Sequence, residues 1–594
     1  MSQSTKKQYT WDLSAIYPSQ EAWEETLNKI PELVSKVTEM KGKITSSAKN
    51  LLNTLNYVNE VSIALERAYS YARLSFDTNM INDNAKNNFE RIDSLATQVD
   101  EQLAFVEPEL LNMDEEQFQK YKNEEPELEI YSFKFEKLFR MKKHILSQEM
   151  EELLTKMDSL GRSFKKIFDD LVVNDLDFPE VSGEDGEKIK ANNANYLKAL
   201  TSRDRTLRRN YFKGLLNTYK SHQNSITSTY YGVVKHDVFE ARARKYKSSR
   251  DMALSANFIP EEVYDNLINT VRNNADKLHK YIDLRKKVLN LEEIHFYDLF
   301  VPMVRGVDKS YSFEEAQNIV IDSLAILGND YVDVLERAFS ERWIDVYPGD
   351  GKKSGAYAMG IYGTPPYSLQ NFTGNLEDVF TLAHELGHVM HSYYSNENQP
   401  YVNSKYTIFT AEVASTVNET LLFNYLLAKA NSPEEKANLL NIHLDGIRST
   451  LHRQTLFADF EKQVHEKVED NQPLTPESLR KLYRSLYETY YGKDFVIDEE
   501  LTYEWLRIPH FYSAFYVYQY STGISAAISI AKGIMNEGKS AVNGYKDFLK
   551  SGGSDYSINL LKKAGVDMSS PQPILDAIED FEQSLQQLKS IITG

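Results

Sequence analysis

The sequence predicts a mainly α-helical protein built as two lobes or one large elongated body, with one small β-sheet beside a helix that carries a His-Glu-x-x-His pentapeptide. Three observations lead there. Apolar residues recur at three- and four-residue spacing, with charged faces between them, over residues 21–37, 46–76, 82–107 and 261–288. Only 25 glycines and 17 prolines interrupt 594 residues. A chain of that length also exceeds what one hydrophobic core can serve.

Two stretches break the helical pattern. Residues 171–186, from Leu171-Val172-Val173 to the turn Gly183-Glu184-Asp185-Gly186, read as a short hairpin or a join between lobes. The lobe boundary is accordingly drawn at residue 195, with a helical lobe over 1–195 and a larger domain over 196–594. Residues 343–372 are dense in turn formers, among them Pro348-Gly349-Asp350-Gly351, Gly355, Gly360, Gly363 and Pro365-Pro366. Strand-like pieces lie between them at 344–347, 356–360 and 367–372. An edge strand there, with Ala356 and Tyr357 as substrate-binding residues, can pair with an extended peptide backbone whatever its sequence. The plainer reading is a connecting hairpin.

The next helix is predicted to begin at Asn375, with Asp378 three residues on as a capping-box variant. It runs through Val379, Leu382, Leu386 and Met390 and ends near residues 396–400. Gly387 inside it costs helix propensity unless a neighbour must approach closely.

Composition narrows the class. Apolar residues are 41% and charged residues 26%, as in ordinary soluble domains. The net charge of -19 argues against nucleic acid or an anionic membrane as partner. No apolar run approaches the ~20 residues of a membrane span, and residues 1–7 hold no apolar leader core. The absence of cysteine excludes disulfides and thiolate chemistry. These features suit a cytoplasmic protein; none speaks to oligomeric state.

His384-Glu385-Leu386-Gly387-His388 carries the chemistry. Histidines four apart lie on one helix face, where both imidazoles reach one metal ion. The glutamate between them is placed to take a proton from water on that metal. With 12 histidines in the chain, about 0.02 such pentapeptides are expected by chance. The predicted cofactor is one zinc ion.

Catalytic zinc takes three protein ligands and keeps one position open. His391 is the nearest further histidine, but at ~1.5 Å rise per residue its Cα lies roughly 10 Å along the axis from that of His384. It stands as the alternative ligand, with packing as its plainer role. Glu412 is the better choice. It lies in an apolar-periodic helix predicted over 407–430, seven residues before Glu419 on the same face. Carboxylates on a buried face are costly unless they bind metal or are hydrogen-bonded. Glu419 then suits a hydrogen bond to a ligand imidazole. A solvated surface pair is the plain alternative for both acids.

A third segment, 505–523, packs His510, Tyr512, Tyr516, Tyr518 and Tyr520 close together. Pro509 suggests a helix starting there, with Tyr512, Tyr516 and Tyr520 on one stripe. Such a stripe is either core or a row of donors to substrate and oxyanion.

From His384 to His391, through Glu412, to that His/Tyr-rich segment, the chain resembles the M3 family of zinc oligopeptidases. Tyr9-Thr10-Trp11-Asp12-Leu13 and Phe515-Tyr516-Val517-Tyr518-Gln519-Tyr520 resemble its oligoendopeptidase F branch. The likeness covers most of the chain. It implies a two-lobed helical body with a deep central channel that admits short peptides and excludes folded proteins. It also implies His384, His388 and Glu412 as zinc ligands, Glu385 as general base and His510 as the substrate-binding histidine. Tyr520 is the favoured oxyanion donor, and Tyr512 and Tyr516 are further substrate contacts. The implied activity is hydrolysis of internal bonds in short peptides. A zinc exopeptidase is the nearest rival and needs a fixed charge for a free terminus; Arg507 is the one basic residue near the tyrosines. A non-catalytic helical scaffold is the distant rival.

Overall fold

A computed structural model describes residues 7–304, 306 and 309–593. Residues 1–6, within the stretch read above as free of a leader core, lie outside it. Helices dominate, and the predicted periodic stretches form Gln20–Thr38, Ala48–Thr78 and Asp83–Leu103. The 261–288 pattern resolves into Glu261–Asn273 and Ala275–Val288.

The chain divides into two compact units of three segments each. The first comprises Met1–Lys143, Lys309–Leu422 and Ile530–Gly565. The second comprises His144–Asp308, Phe423–Ser529 and Val566–Gly594. Residue 195, where the sequence suggests a boundary, falls inside the second unit. The reason is that the amino-terminal helices are completed by side chains from far along the chain. Ile361, Tyr367 and Leu369 share one buried cluster with Trp23, Leu51 and Leu55.

In the first unit, Ser19, Ser47 and Asn82 cap the first three long helices, each accepting a backbone N–H at the helix start. Trp23, Leu27, Ile30, Val34 and Val37 form the buried face of Gln20–Thr38, the 3.6-residue stripe expected of an amphipathic helix. The Tyr9–Leu13 stretch docks on the sheet region: Asp12 N–H donates to Arg342 O at 2.8 Å, and Val346 N–H to Tyr9 O at 2.9 Å.

The sheet before the site helix has three strands. Tyr367–Leu369 is central, parallel to Ile344–Asp345 and antiparallel to Tyr357–Met359. Ser368 and Gln370 donate towards the Ile344 strand, so Tyr367 and Leu369 face the other way and pair with Met359 and Tyr357. Alternation then directs the N–H and C=O of Ala358 to the open edge, where no further strand pairs among the described residues. A Cβ on Gly360 would stand 2.6 Å from the Ser392 side chain, and glycine there lets the strand end lie on the site helix.

In the second unit, Leu171-Val172-Val173 is not a strand. It continues the helix Gln148–Asp170 as a π turn, Leu171–Asp175. The hairpin follows, pairing Glu180–Ser182 with Lys188–Lys190.

Candidate metal centre

The site helix is Leu376–Asn398. Asn375 caps it, and Asp378 completes the capping box. Its carboxylate oxygen Oδ2 accepts the N–H groups of Thr373, Gly374 and Asn375 and the Thr373 hydroxyl. The turn leading into the helix is thereby fixed, while the Asn375 side chain accepts the Asp378 N–H at the helix start.

The second helix, Ile408–Lys429, runs antiparallel beside it: positions rise on one as their neighbours fall on the other. Phe409, Val413, Val417, Leu421 and Leu422 are buried. Two contacts set the register. A Cβ on Gly387 would lie 2.5 Å from Ser415 Cα, so the backbones touch only because residue 387 is glycine. Asn418 donates to Ala383 O at 3.1 Å and accepts from the Tyr331 hydroxyl at 3.0 Å. Asn418 was not singled out from sequence; a polar residue on the buried face of an apolar helix was its only signal.

That register brings His384 and His388 opposite Glu412 and Glu419. Glu412 Oε2 lies 3.4 Å from His384 Nε2 and 3.7 Å from His388 Nε2. At zinc–ligand distances of about 2.0–2.1 Å a tetrahedron has edges of roughly 3.3 Å, so this spacing fits one ion. All three donor atoms lie within 4.8 Å of one another. His384 Nδ1 donates to Glu419 Oε1 at 2.6 Å, which turns Nε2 to the cluster. Glu385 is 7% exposed, and its Oε2 has no partner.

The electrostatics match a site built for a cation. Burial works against a charged His384, yet hydrogen bonds to Glu412 and Glu419 win and hold it up at about 10. The His384 bond lowers Glu412. Burial, then the charge on His384, presses His388 down to about 4. Burial lifts Glu385 to about 7, with Glu412 and Glu419 adding to the rise.

His391 does not join the cluster. It is fully buried, stacked on Tyr406 with centroids 3.7 Å apart, and neither ring nitrogen has a partner. Burial holds it neutral, down to about 3. One further group, Asp158, His236 and Glu240, also converges, but Glu240 already accepts from Arg244 Nε at 3.0 Å.

Tyr357 departs from its predicted part. Its hydroxyl donates to Asp77 at 2.8 Å and its backbone pairs inward; Ala358, beside Ala356, holds the open edge. The His/Tyr segment belongs to the second unit. No helix starts at Pro509: a single 3₁₀ turn, Pro509–Tyr512, precedes a break, and the helix begins at Tyr518. His510 is exposed and its ring clusters with Tyr516 and Tyr520, at 6.2 and 6.0 Å between centroids. Tyr512 turns elsewhere, its hydroxyl 2.7 Å from Thr229 and its ring stacked on Phe168. The predicted stripe of three tyrosines is thus a pair with His510, and Tyr512 is packing.

Residues 199–580 match the family model for peptidase family M3, and residues 109–178 that for oligopeptidase F. The chain belongs to peptidase family M3. As an M3 peptidase it is a metalloendopeptidase, and a divalent metal goes with the family. It is 42% identical to oligopeptidase PepF of Bacillus subtilis over 99% of this chain and 88% of that one. A crystal structure from Chlamydophila abortus superposes with a TM-score of 0.93 at 35% identity, covering 98% of both chains. Oligoendopeptidase-F from Enterococcus faecium gives 0.74 at 35% identity, covering 96% of this M3 peptidase and 99% of that chain.

Proposed function

We propose that this M3 peptidase is a zinc-dependent oligoendopeptidase that cleaves internal bonds of short peptides, with His384, His388 and Glu412 holding one zinc ion. The observation that carries the reading is the convergence of three donor atoms beside a buried carboxylate with a partnerless oxygen, Glu385. Two imidazoles and a carboxylate suit zinc. A bound zinc supplies Lewis acidity, polarising a carbonyl and lowering the pKa of water towards ~7.

The remaining chemistry falls to side chains and backbone. Glu385 accepts a proton from the attacking water and returns it to the leaving amine. Glu419 holds the Nδ1 proton of His384. Ala358 offers its N–H and C=O to an extended substrate backbone, with Ala356 leading into the same edge. The family's His/Tyr segment assigns His510 and Tyr520 to substrate, and Tyr516 shares their cluster.

The exopeptidase reading loses its anchor. Arg507 lies 3.6 Å from Glu504, with 13% of its side chain exposed, and stacks over Tyr196 at 4.1 Å. It shares the buried Glu504 carboxylate with Arg453, which lies 2.6 Å from it, and is packed inside the second unit. The test is a set of peptides of graded length, blocked at both ends and incubated with and without chelator. Mass spectrometry should find internal cleavage of the short members, lost with chelator and restored by zinc. Blocked peptides left intact would overturn the endopeptidase reading. A cytoplasmic site of action goes with the absence of cysteine, and among the described residues no helix is long and apolar enough to cross a membrane. Cell fractionation tests the location.

A further inference from the structure

The break at residues 513–517 that puts His510, Tyr516 and Tyr520 together has a specific cause in the second unit. In a continuous helix the Phe515 N–H would donate to the carbonyl of Phe511. Here it donates at 2.7 Å to Oε1 of Glu461, a residue 54 positions earlier in the helix Arg453–Glu469. Phe515 takes φ +52°, in the left-handed region, where a side chain other than Asn, Asp or Gly is uncommon. Its ring is buried between Tyr264 and His465, with centroids at 5.7 and 4.6 Å. The residue is therefore held at both its backbone and its side chain.

Glu461 is itself fully buried. Its Oε2 has no hydrogen-bond partner. One turn later on the same helix, His465 Nδ1 donates to the Glu461 carbonyl at 2.9 Å, and its Nε2 lies 3.2 Å from Asp237. A carboxyl group in such a place is costly unless it does something an apolar side chain would not. The backbone bond to Phe515 is the one thing it visibly does.

We propose that Glu461 is a positioning residue of this peptidase: by capturing the Phe515 N–H it enforces the turn that presents Tyr520 and Tyr516 beside His510. The inference rests on the reading in which His510 and Tyr520 contact substrate. Burial, opposed by His465 and by the Phe515 bond, pushes the Glu461 carboxyl up to about 8. Near neutrality the group is therefore mostly the neutral acid, and glutamine is its closest mimic.

The test uses the full-length, zinc-loaded enzyme and a short internally quenched peptide. Glu461→Met fills the volume but removes the acceptor, and Glu461→Gln keeps an acceptor. Glu461→Met should lower kcat by about 10–100-fold, the cost of misplacing a group by about an ångström, with zinc content unchanged and KM moved by less than about threefold. Glu461→Gln should stay within about threefold of the parent. The double variant Glu461→Met/Tyr520→Phe should lose no more than Tyr520→Phe alone, because one change acts through the other. Exchange mass spectrometry should show the helix peptides of 453–469 still protected and the Phe515 amide deprotected. Full activity in Glu461→Met, losses that multiply in the double variant, or a Glu461→Gln as impaired as Glu461→Met would overturn the proposal. If Tyr520→Phe and His510→Ala are both silent, the substrate reading has failed instead, and the inference falls with it.

Discussion

Nδ1 of His384 lies 2.6 Å from Oε1 of Glu419, across two antiparallel helices that meet backbone to backbone at Gly387. The bond fixes which nitrogen carries the proton and so which lone pair faces Glu412. Removing its acceptor strength leaves the three ligands intact but the ring less basic and less oriented. Glu419→Gln should weaken zinc binding by about 10–100-fold, read by competition with a chromogenic chelator. Activity should return in large part at saturating zinc. An unchanged affinity would remove Glu419 from the site.

Glu385 answers a different question. Its partnerless Oε2 is spare for chemistry rather than for holding the ion. Glu385→Gln should retain about one zinc per chain by elemental analysis and lose at least about 100–10,000-fold in kcat, the range for a missing general acid–base. Full cleavage by the purified variant would refute the assignment.

Gly387 tests whether the helix approach builds the site. A methyl group at 387 would meet Ser415 Cα at 2.5 Å, and backbone does not yield as a side chain tip does. Gly387→Ala gains helix propensity of about 1 kcal/mol but forces the helices apart, at a cost of about 1–3 kcal/mol or more. Melting temperature and zinc affinity should both fall. Gly349→Ala, with open space around the added carbon, is the control and should change neither. A stabilised Gly387→Ala would mean the two helices are free to slide.

How much of this was legible in the sequence depends on the distance over which each feature is decided. The pentapeptide helix, its Asn375–Asp378 start and the acids at Glu412 and Glu419 follow from spacings within one or two helices, and the fold puts them where the periodicity says. Gly387 read as a cost awaiting a close neighbour, and Ser415 is that neighbour. What failed depends on partners remote in sequence. Tyr357 is bound to Asp77, 280 residues away. His391 is sealed by Tyr406 and Phe548. The tyrosine stripe breaks because Glu461 captures an N–H that local propensity assigns to a helix. A cut at residue 195 assumes lobes continuous in sequence, whereas Tyr367 and Leu369 complete the core of the first helices.

Glu461 also makes a pH prediction whose sign is fixed by burial. Its folded-state value of about 8 stands above the ordinary 4.5, so between those values the folded protein holds a proton that the unfolded chain has released. Stability from this group is present in full below about pH 4.5, erodes as pH rises, and is gone above about 8. His465 is raised by Asp237 and by Glu461 itself despite its burial, so its contribution likewise fades with rising pH, and replacing Glu461 removes part of that rise. Tyr230 and Tyr264, the other titratable groups felt here, stay neutral throughout the range. Comparing the two proteins therefore reads the carboxyl together with its coupling to His465, and both act in the same direction. The melting temperature of Glu461→Gln, relative to the parent, should climb steadily from pH 5 to pH 8.5. A difference that is flat, or that shrinks over this range, would mean the carboxyl is already ionised in the folded protein at low pH. The Phe515 bond would then be made to a charged acceptor that glutamine does not replace.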